Sequence, residues 1–305
     1  MGRAQMMGSS EEIATTLEWV APHGSPTEDL PVSPELTTAI RAAIRGSGLD
    51  MQFQPIFQLG NWLVGDRRPV GYEALSRFES DVPTDAWFRA ADQLGLGVEL
   101  ELAAVSAAVR RLDDVPAGRY ITVNVSPKVV ESLPFSAIVK RLTSGRVRLE
   151  ISEEALIEDY ERFRSTIAEL RRRGLRVAID DVGAGMASLK HLVLIPHDSI
   201  KLDLDVVRGV DHDRNRQAMV SALVALSKAT GTQVVAEGIE TMSELVSLAE
   251  LGVAYGQGYF LGRPASLQKV DATQPPTGVA EETQNVMRST VTFANRSPSR
   301  VGRPG

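Results

Sequence analysis

Acidic, amide and basic side chains interrupt seven apolar stretches of this chain, each time close to the end of the stretch. They are Glu73 with Arg77, Asn124, Glu150 with Glu153, Asp180 with Asp181, Lys201 with Asp203, Glu237 with Glu240, and Gln257. One such interruption usually marks the end of a strand or a buried structural polar group. Seven in succession would face a single mouth if the stretches were the strands of one closed barrel.

So many carboxylates in one place do not all remain ionised unless cations balance them. Ligand sets rich in carboxylate and amide oxygen suit Mg²⁺ or Mn²⁺. The four histidines, which are the usual ligands of zinc and iron, all lie outside the set: His23, His191, His197 and His212. The pattern therefore predicts a magnesium or manganese site.

Asp180 and Asp181 end the apolar stretch "RVAIDDVGAG", residues 176–185. Adjacent aspartates can serve two metal ions about 3.5–4 Å apart, one bridging the ions and the other binding a single ion. Two-metal sites of this kind hydrolyse phosphoesters, because the ions activate water, orient the phosphate and take up charge on the leaving oxygen. A two-metal phosphoesterase is the hypothesis that follows from the residues.

These residues need parallel strands to bring them together, and the pattern of the chain supplies eight candidates. Strand-like stretches occur at 51–58, 69–76, 119–125, 146–151, 176–180, 199–203, 232–236 and 253–257, with helical patterns between most of them. The spacing of Leu156, Tyr160, Phe163, Ile167 and Leu170 predicts one helix over 154–173. Thr241 and Glu244 form a capping-box pattern before another helix.

This order predicts an α/β fold of the (β/α)8 TIM-like barrel type, whose usual size is about 250 residues. A doubly wound sheet is the alternative, and it would place a phosphate-binding glycine loop after the first strand. The segment "FQPIFQLGNWLVGD" does not have that glycine spacing.

The two ends differ in composition from the middle, which suggests three parts. Residues 1–34 carry four prolines between 22 and 34 and are expected to form a partly disordered arm. Residues 35–270 are expected to form the barrel domain. Residues 271–305 are rich in Thr, Ser, Pro, Gly and Arg, which predicts a disordered C-terminal tail.

The composition argues against several classes of protein. The formal net charge of −6 argues against a binder of nucleic acid polymers or of an anionic membrane surface. The absence of cysteine excludes disulfides and zinc–thiolate sites, and no apolar run reaches the 18 residues of a membrane span. The N-terminus has no apolar segment typical of a signal peptide, so a cytoplasmic protein is expected.

Eight short motifs in this chain are similar, in order, to those of one family. They are "FQPIF", "YEALSRF", "NVSP", "LEISEE", "AIDDVGAG", "IKLD", "VVAEGIET" and "GQGYFLGRP". Over residues 36–268 the chain resembles EAL-domain proteins, the family of cyclic di-GMP phosphodiesterases. The resemblance implies a barrel whose first strand is antiparallel to the others.

The resemblance also implies roles for individual residues. Glu73, Asn124, Glu150 and Asp180 match the metal ligands, and Asp181 matches the residue that serves a second metal. Lys201 matches the lysine at the attacking water, and Glu237 matches a glutamate that acts as general base or as partner of the second metal. The remaining matches are Glu153 and Glu240, which support loops, and Gln54, Arg77 and Gln257, which contact substrate.

The implied reaction opens one 3′–5′ phosphodiester of cyclic di-GMP to give linear 5′-pGpG, with two Mg²⁺ or Mn²⁺ ions and a homodimer as the expected assembly. The family usually has "DFGTGYSS" where this chain has "DVGAGMAS", so Val182, Met186 and Ala187 depart from it. These departures favour the alternative of a catalytically weak or inactive cyclic di-GMP receptor. A metal-dependent barrel enzyme that acts on an enolisable acid is a third possibility, but it leaves "YEALSRF" unexplained.

Overall fold

A computed structural model describes residues 32–132, 135, 138, 145–152, 155–183 and 188–272. The arm expected over 1–34 lies outside these residues as far as residue 31, and the expected tail lies outside them from residue 273 onward. The barrel domain expected over 35–270 falls largely within them.

Eight strands close into one barrel in the order of the chain. They are β1 (Leu49–Gln58), β2 (Gly71–Phe78), β3 (Tyr120–Asn124), β4 (Val147–Ser152), β5 (Arg176–Val182), β6 (Ser199–Leu202), β7 (Gln233–Ala236) and β8 (Tyr255–Gly256). Each lies within two residues of the expected position at its start. β1 is antiparallel to both of its neighbours, and all other pairs are parallel. The expected barrel with an antiparallel first strand is confirmed.

The helices described are short or amphipathic. They are α1 (Pro34–Ile44), α2 (Leu59–Leu63), α3 (Thr84–Gln93), α4 (Gly97–Arg110), α5 (Pro127–Val130), α6 (Tyr160–Arg172), α7 (Ser188–Leu194), α8 (Leu204–Val207), α9 (Arg214–Thr230), α10 (Met242–Glu250) and α11 (Leu267–Ala272). Within the described part of the chain, none combines the length and the apolar character needed to cross a bilayer.

The direction of β1 decides which of its side chains reach the site. Leu49 pairs with Phe78, the last residue of β2, so β1 begins at the end of the barrel where the parallel strands finish. Four residues before its end, Gln54 stands opposite Glu73 of β2. Residues opposite each other on paired strands share a face, so Gln54 lies on the same wall as the acidic residue.

α6 shows how local sequence sets the ends of an element. The Asp159 side chain accepts a hydrogen bond from the Arg162 backbone amide at 3.0 Å and caps the first turn. Phe163, Ile167 and Leu170 form its buried face, as their spacing predicts. The expected start at residue 154 is wrong, because the cap at Asp159 begins the helix at Tyr160 and leaves Leu156 exposed.

Two apolar cores support the barrel. The larger one lies around the strands and the helices packed against them, and includes Phe53, Ile121, Leu149, Ile179 and Val234. A smaller cluster joins α1, α3 and α4 through the buried residues Ile40, Ala43, Trp87, Ala90, Ala91 and Leu100. Leu49 and Phe78 also pack against the smaller cluster, which therefore lies at the end of the β1–β2 pair where these two residues stand opposite each other.

Candidate functional site

Lys201, on β6, is the centre of an acidic cluster inside the barrel. Its Nζ lies 2.6 Å from Glu237 Oε1, 3.0 Å from Glu150 Oε1, 3.0 Å from Asp180 Oδ2 and 3.7 Å from Glu73 Oε2. The lysine side chain is 1% exposed. One buried ammonium therefore faces four carboxylates that come from β2, β4, β5 and the residue after β7.

Burial and mutual repulsion perturb the protonation of this cluster. Burial is the largest effect on the carboxyl groups, and it raises the pKa of Asp180 to about 6 and the pKa values of Glu150 and Glu237 well above their usual range. Burial alone would lower the pKa of Lys201, but Asp180, Glu150 and the other carboxylates outweigh it and raise that pKa. The ammonium form is favoured, and the raised pKa values indicate that ionising all of these carboxyl groups would create more negative charge than one ammonium balances.

Two amide side chains join the cluster from opposite sides. Asn124 donates from Nδ2 to Glu73 Oε1 at 3.1 Å. Gln257 donates from Nε2 to Glu237 Oε1 at 2.8 Å and also to Glu73 Oε2. Gln54 lies in the adjacent wall and donates to the carbonyl oxygen of Gly262 at 3.2 Å. The amides thus orient the two glutamates at the edge of the cluster.

Asp181 reaches the same region because β5 is irregular at this point. Successive side chains of a strand normally point to opposite faces, which would turn one of two adjacent aspartates away from the site. The pairing of β5 with β6 shifts between Ile179 and Val182, and Asp181 has a positive φ of 57°. Aspartate tolerates this left-handed conformation better than most residues. Carboxylate oxygens of Asp180, Asp181 and Glu237 consequently lie within 4.8 Å of one another.

The donor set fits divalent cations. A second group, Glu73, Glu150 and Asp180, also brings one oxygen each to within 4.8 Å, and Asp180 belongs to both groups. Glu150 Oε2 is buried without a hydrogen-bond partner among the described residues. An unsatisfied buried carboxylate oxygen is costly, and a hard cation would satisfy it. The excess of carboxyl groups over the single ammonium and this unsatisfied oxygen both favour Mg²⁺ or Mn²⁺ at the cluster.

Two other predicted site residues make their described contacts outside the cluster. Arg77 donates from Nε to Gln52 Oε1 and from Nη1 to the Ser76 carbonyl oxygen, both at 2.9 Å, near the end of β2. Glu240 is at the surface, where its Oε1 lies 3.4 Å from Arg208 Nη2. Glu153 lies outside the described residues, as do Met186 and Ala187 of the altered loop.

Glu101 of α4 supports the backbone next to Asn124, which the sequence pattern did not reveal. Its Oε2 accepts a hydrogen bond at 2.8 Å from the backbone amide of Ser126, two residues after Asn124. Burial raises the pKa of its carboxyl group. The signal was its helical spacing, because Ala104 and Val105, three and four residues later, are both buried.

Comparison with known proteins supports one family. The EAL domain family matches residues 37–264. PdeR of Escherichia coli K12, named a cyclic di-GMP phosphodiesterase, is 30% identical over 242 residues, covering 75% of this chain and 36% of PdeR. This chain spans about a third of the length of the curated relatives it matches.

Solved structures agree with this chain in fold. The PaMucR phosphodiesterase in complex with c-di-GMP superposes with a TM-score of 0.67 at 28% identity, covering 77% of this chain and 99% of that one. A manganese/cyclic-diGMP complex of Klebsiella pneumoniae BlrP1 gives a TM-score of 0.63 at 27% identity, covering 72% of this chain and 57% of that one. With the match over residues 37–264 and the shared barrel, this chain belongs to the EAL domain family.

Proposed function

We propose that this chain hydrolyses one 3′–5′ phosphodiester of cyclic di-GMP to linear 5′-pGpG, using two divalent cations, Mg²⁺ or Mn²⁺. The observation that carries the proposal is the set of four carboxylates around buried Lys201. The name of PdeR and the ligands of the PaMucR and BlrP1 structures support the same substrate and metal class.

Two overlapping sets of residues would hold the cations. Glu73, Glu150 and Asp180 form the first set with Asn124, and Asp180, Asp181 and Glu237 form the second. Divalent cations bound there supply Lewis acidity, which lowers the pKa of water and neutralises charge on a phosphate. The shared Asp180 agrees with one carboxylate serving both ions.

Lys201 and Glu237 are the residues of this chain that we assign to the attacking water. The Lys201 ammonium, held among carboxylates, donates a hydrogen bond to the attacking water and keeps it in place. Glu237 is 17% exposed, more than Glu73, Glu150 or Asp180, so it is the most open of the four carboxylates that contact Lys201. It serves as a ligand of the second cation or as the base that accepts the proton from water.

The substrate contacts lie on β1, β2 and the end of β8. The planar guanidinium of Arg77 suits a phosphate oxygen, and its bonds to Gln52 and Ser76 restrict its position. Gln54 and Gln257 present amide groups from two sides of Glu73, which suits polar edges of a nucleotide. Glu153 and Glu240 are assigned to the support of neighbouring loops.

The barrel over residues 35–270 carries this proposed activity, with 1–34 and 271–305 as terminal segments. A cytoplasmic location agrees with the absence of cysteine from all 305 residues.

A homodimer is proposed as the assembly, and α7 offers an apolar face for it. Leu189 and Val193 lie four residues apart on α7 and are 69% and 80% exposed. Large exposed apolar side chains on one face often mark contacts between proteins. Sedimentation of the chain and of a Leu189→Glu, Val193→Glu variant tests this, and a monomeric parent chain would contradict it.

The deciding experiment measures turnover directly. The full chain is incubated with cyclic di-GMP and Mn²⁺ or Mg²⁺, and the products are separated by chromatography. Metal-dependent pGpG is expected, with loss on adding a chelator or in Asp180→Asn, which keeps the shape of the side chain but not its charge. Asp213→Asn is the matched control, because Asp213 caps α9 away from the cluster.

The outcomes separate the proposed functions. Cyclic di-GMP binding without any product would make this chain a receptor and refute the hydrolase. Equal turnover by Asp180→Asn would show that the two cation sets are wrongly assigned. If the chain neither binds nor hydrolyses cyclic di-GMP, both proposed functions fail, and the family membership is unaffected.

A further inference from the structure

The shortest ion pair in the cluster joins a residue near the end of β6 to the first residue of the loop after β7. Lys201 lies just before the β6 loop, and Glu237 is the first residue after β7. The Glu237 backbone amide donates to the Leu202 carbonyl oxygen at 3.1 Å. A Cβ on Gly238 would approach the Leu204 side chain to 2.2 Å, so the two loops pack without spare room. The relative position of the two loops therefore affects the contact between Lys201 Nζ and Glu237 Oε1.

One carboxylate outside the cluster is bonded to both loops. Glu244, on α10, is 5% exposed. Its Oε2 accepts the backbone amides of Glu240 and Thr241, each at 3.0 Å, in the β7 loop. Its Oε1 accepts the backbone amide of Gly209, also at 3.0 Å, in the segment that follows α8. Both oxygens are thus used, and they join chain segments that are more than thirty residues apart in sequence.

A helix cap does not require this arrangement. In a capping box the third helical residue needs one acceptor oxygen, and glutamine supplies it as well as glutamate. Only a carboxylate accepts hydrogen bonds on both of its terminal atoms. The hydrogen bond that the Gly209 amide donates to Glu244 Oε1 is therefore additional to the cap of α10.

The segment between Lys201 and Gly209 is itself ordered by local bonds. The Asp203 side chain accepts the Asp205 amide at 2.7 Å and caps α8, and the Asp203 amide donates to the Val182 carbonyl oxygen. Gly209 has a φ of 73°, which glycine adopts at little cost. Because Gly209 lies two residues after the end of α8, we expect a shift at Gly209 to move this short helix, which begins three residues after Lys201.

We propose that Glu244 is a positioning residue, which sets the contact of Lys201 with Glu237 by bonding the β6 and β7 loops to each other. The inference rests on the proposed function of the same site. It assigns Glu244 no contact with substrate or cation.

The test is Glu244→Gln in the full chain. The amide keeps the size of the side chain but presents N–H groups to one of the two sets of backbone donors. We expect Mn²⁺ affinity by calorimetry and the turnover rate each to fall about tenfold, the range typical when a group that orients metal ligands is changed. Hydrogen exchange in 204–212 is expected to become faster, while β2–β5 remain protected.

Thr241→Ala is the matched control. It removes the hydrogen bond from the Glu244 amide to Thr241 Oγ1, which belongs to the cap alone, and leaves all three bonds accepted by the Glu244 carboxylate. Its melting temperature should fall, while Mn²⁺ affinity, turnover and exchange in 204–212 stay as in the parent chain.

The readouts distinguish this inference from the proposed function. Parent-like Mn²⁺ affinity and parent-like exchange in Glu244→Gln would reduce Glu244 to a helix cap and overturn the inference. If the parent chain has no hydrolase activity, the proposed function fails, and exchange in 204–212 still decides whether Glu244 joins the loops. If Glu244→Gln does not fold, Glu244→Asp, which is one methylene shorter, is measured in the same way.

Discussion

At the scale of single residues, the site depends on the contrast between one buried ammonium and the carboxylates around it. Lys201 is 1% exposed, and Glu150 beside it is equally buried. Removing charges of this kind from water costs several kcal/mol per ion, and only close partners offset that cost. Lys201 therefore stabilises the cluster before any cation binds, in addition to its proposed part in the reaction.

Replacing Lys201 by alanine tests this electrostatic role. Without cations the variant leaves buried carboxylates unpaired, so we expect about 3 kcal/mol or more of lost stability. Added Mn²⁺ should recover part of this loss, because it replaces the missing positive charge. Urea unfolding with a chelator and with Mn²⁺ measures both effects.

Lys228→Ala provides the comparison, since Lys228 is an exposed residue of α9. Its stability should stay close to that of the parent chain in both conditions. Equal stability of Lys201→Ala and the parent chain with chelator present would contradict the electrostatic account.

At the scale of elements, the strand ends and the loops after them bring the functional residues together. β1 places Gln54 opposite Glu73, and the irregularity in β5 turns Asp181 toward Asp180. The segment after β8 packs directly against the backbone of the β7 loop. A Cβ on Gly258 would lie 2.2 Å from both the backbone nitrogen and the backbone oxygen of Ile239. Backbone atoms do not move aside as a flexible side chain does.

Gly258→Ala is therefore expected to be strongly destabilising. The new methyl group would force the chain next to Gln257 away from the β7 loop, at a cost of about 3 kcal/mol. Gly60→Ala in α2 adds the same group where nothing lies within 4 Å, and should stabilise the helix by about 0.5–1 kcal/mol. Thermal unfolding of the two variants compares them, and equal melting temperatures would show that the close approach is relieved cheaply.

Asp198, just before β6, is hydrogen-bonded to α6 and β5, and it makes the stability of the protein depend on pH. It accepts hydrogen bonds from Arg171, Arg176 and the backbone amide of Val177 at 2.7–3.1 Å. Burial opposes its ionisation, but these bonds outweigh burial and lower the pKa of its carboxyl group below 3.8. The unfolded chain thus binds the proton more readily, so the stabilisation is present above pH 3.8 and is lost as pH falls through the folded pKa.

Asp198→Asn should therefore cost about 1–3 kcal/mol at pH 7. The difference from the parent chain should shrink as the pH falls below 3.8, where the native carboxyl group also becomes neutral. Urea unfolding across this range measures the difference. Asp66→Asn, which removes an exposed pair with Arg68, is the control and should change stability little. A pH-independent difference for Asp198→Asn would contradict the assigned pKa direction.

At the scale of the whole molecule, closure of the barrel joins residues from six strands, β1 to β6, and from the segments just after β7 and β8 into one site. A closed barrel leaves no unpaired strand edge, and its interior here contains acidic side chains that repel one another. In the folded protein without cations, repulsion among these acidic side chains therefore lowers the free energy of unfolding. Ions that bind the folded but not the unfolded chain should stabilise the entire barrel.

Removal of metal should accordingly lower the melting temperature of the whole domain. At a free Mn²⁺ concentration 100 times the dissociation constant, the gain is about 2.7 kcal/mol, or roughly 5–10 °C for a domain of this size. Calorimetry with Mn²⁺ and then with excess chelator measures the shift. Asp180→Asn should lose most of it, and an unchanged melting temperature in the parent chain would argue against a cation site.

Much of the architecture followed from local patterns. Strand positions, the closed barrel and the capping box of Thr241 and Glu244 were predicted, because periodicity and caps depend on neighbours a few residues apart. The start of α6 was misplaced, since the apolar spacing continued to Leu156 while the cap at Asp159 decided the boundary. The assigned roles of the site residues, those of Arg77 and Glu240 included, remain predictions.

The residue types at the strand ends could be read from the linear pattern, because those positions are set along the chain. Three features required the folded barrel: the contact of Lys201 with four carboxylates, the inward turn of Asp181, and the joining of two loops by Glu244. Each of these contacts joins distant segments or depends on a shift in strand pairing, so it exists only once the barrel has closed. Burial then changes the pKa values of the acids, which no local pattern of residues encodes.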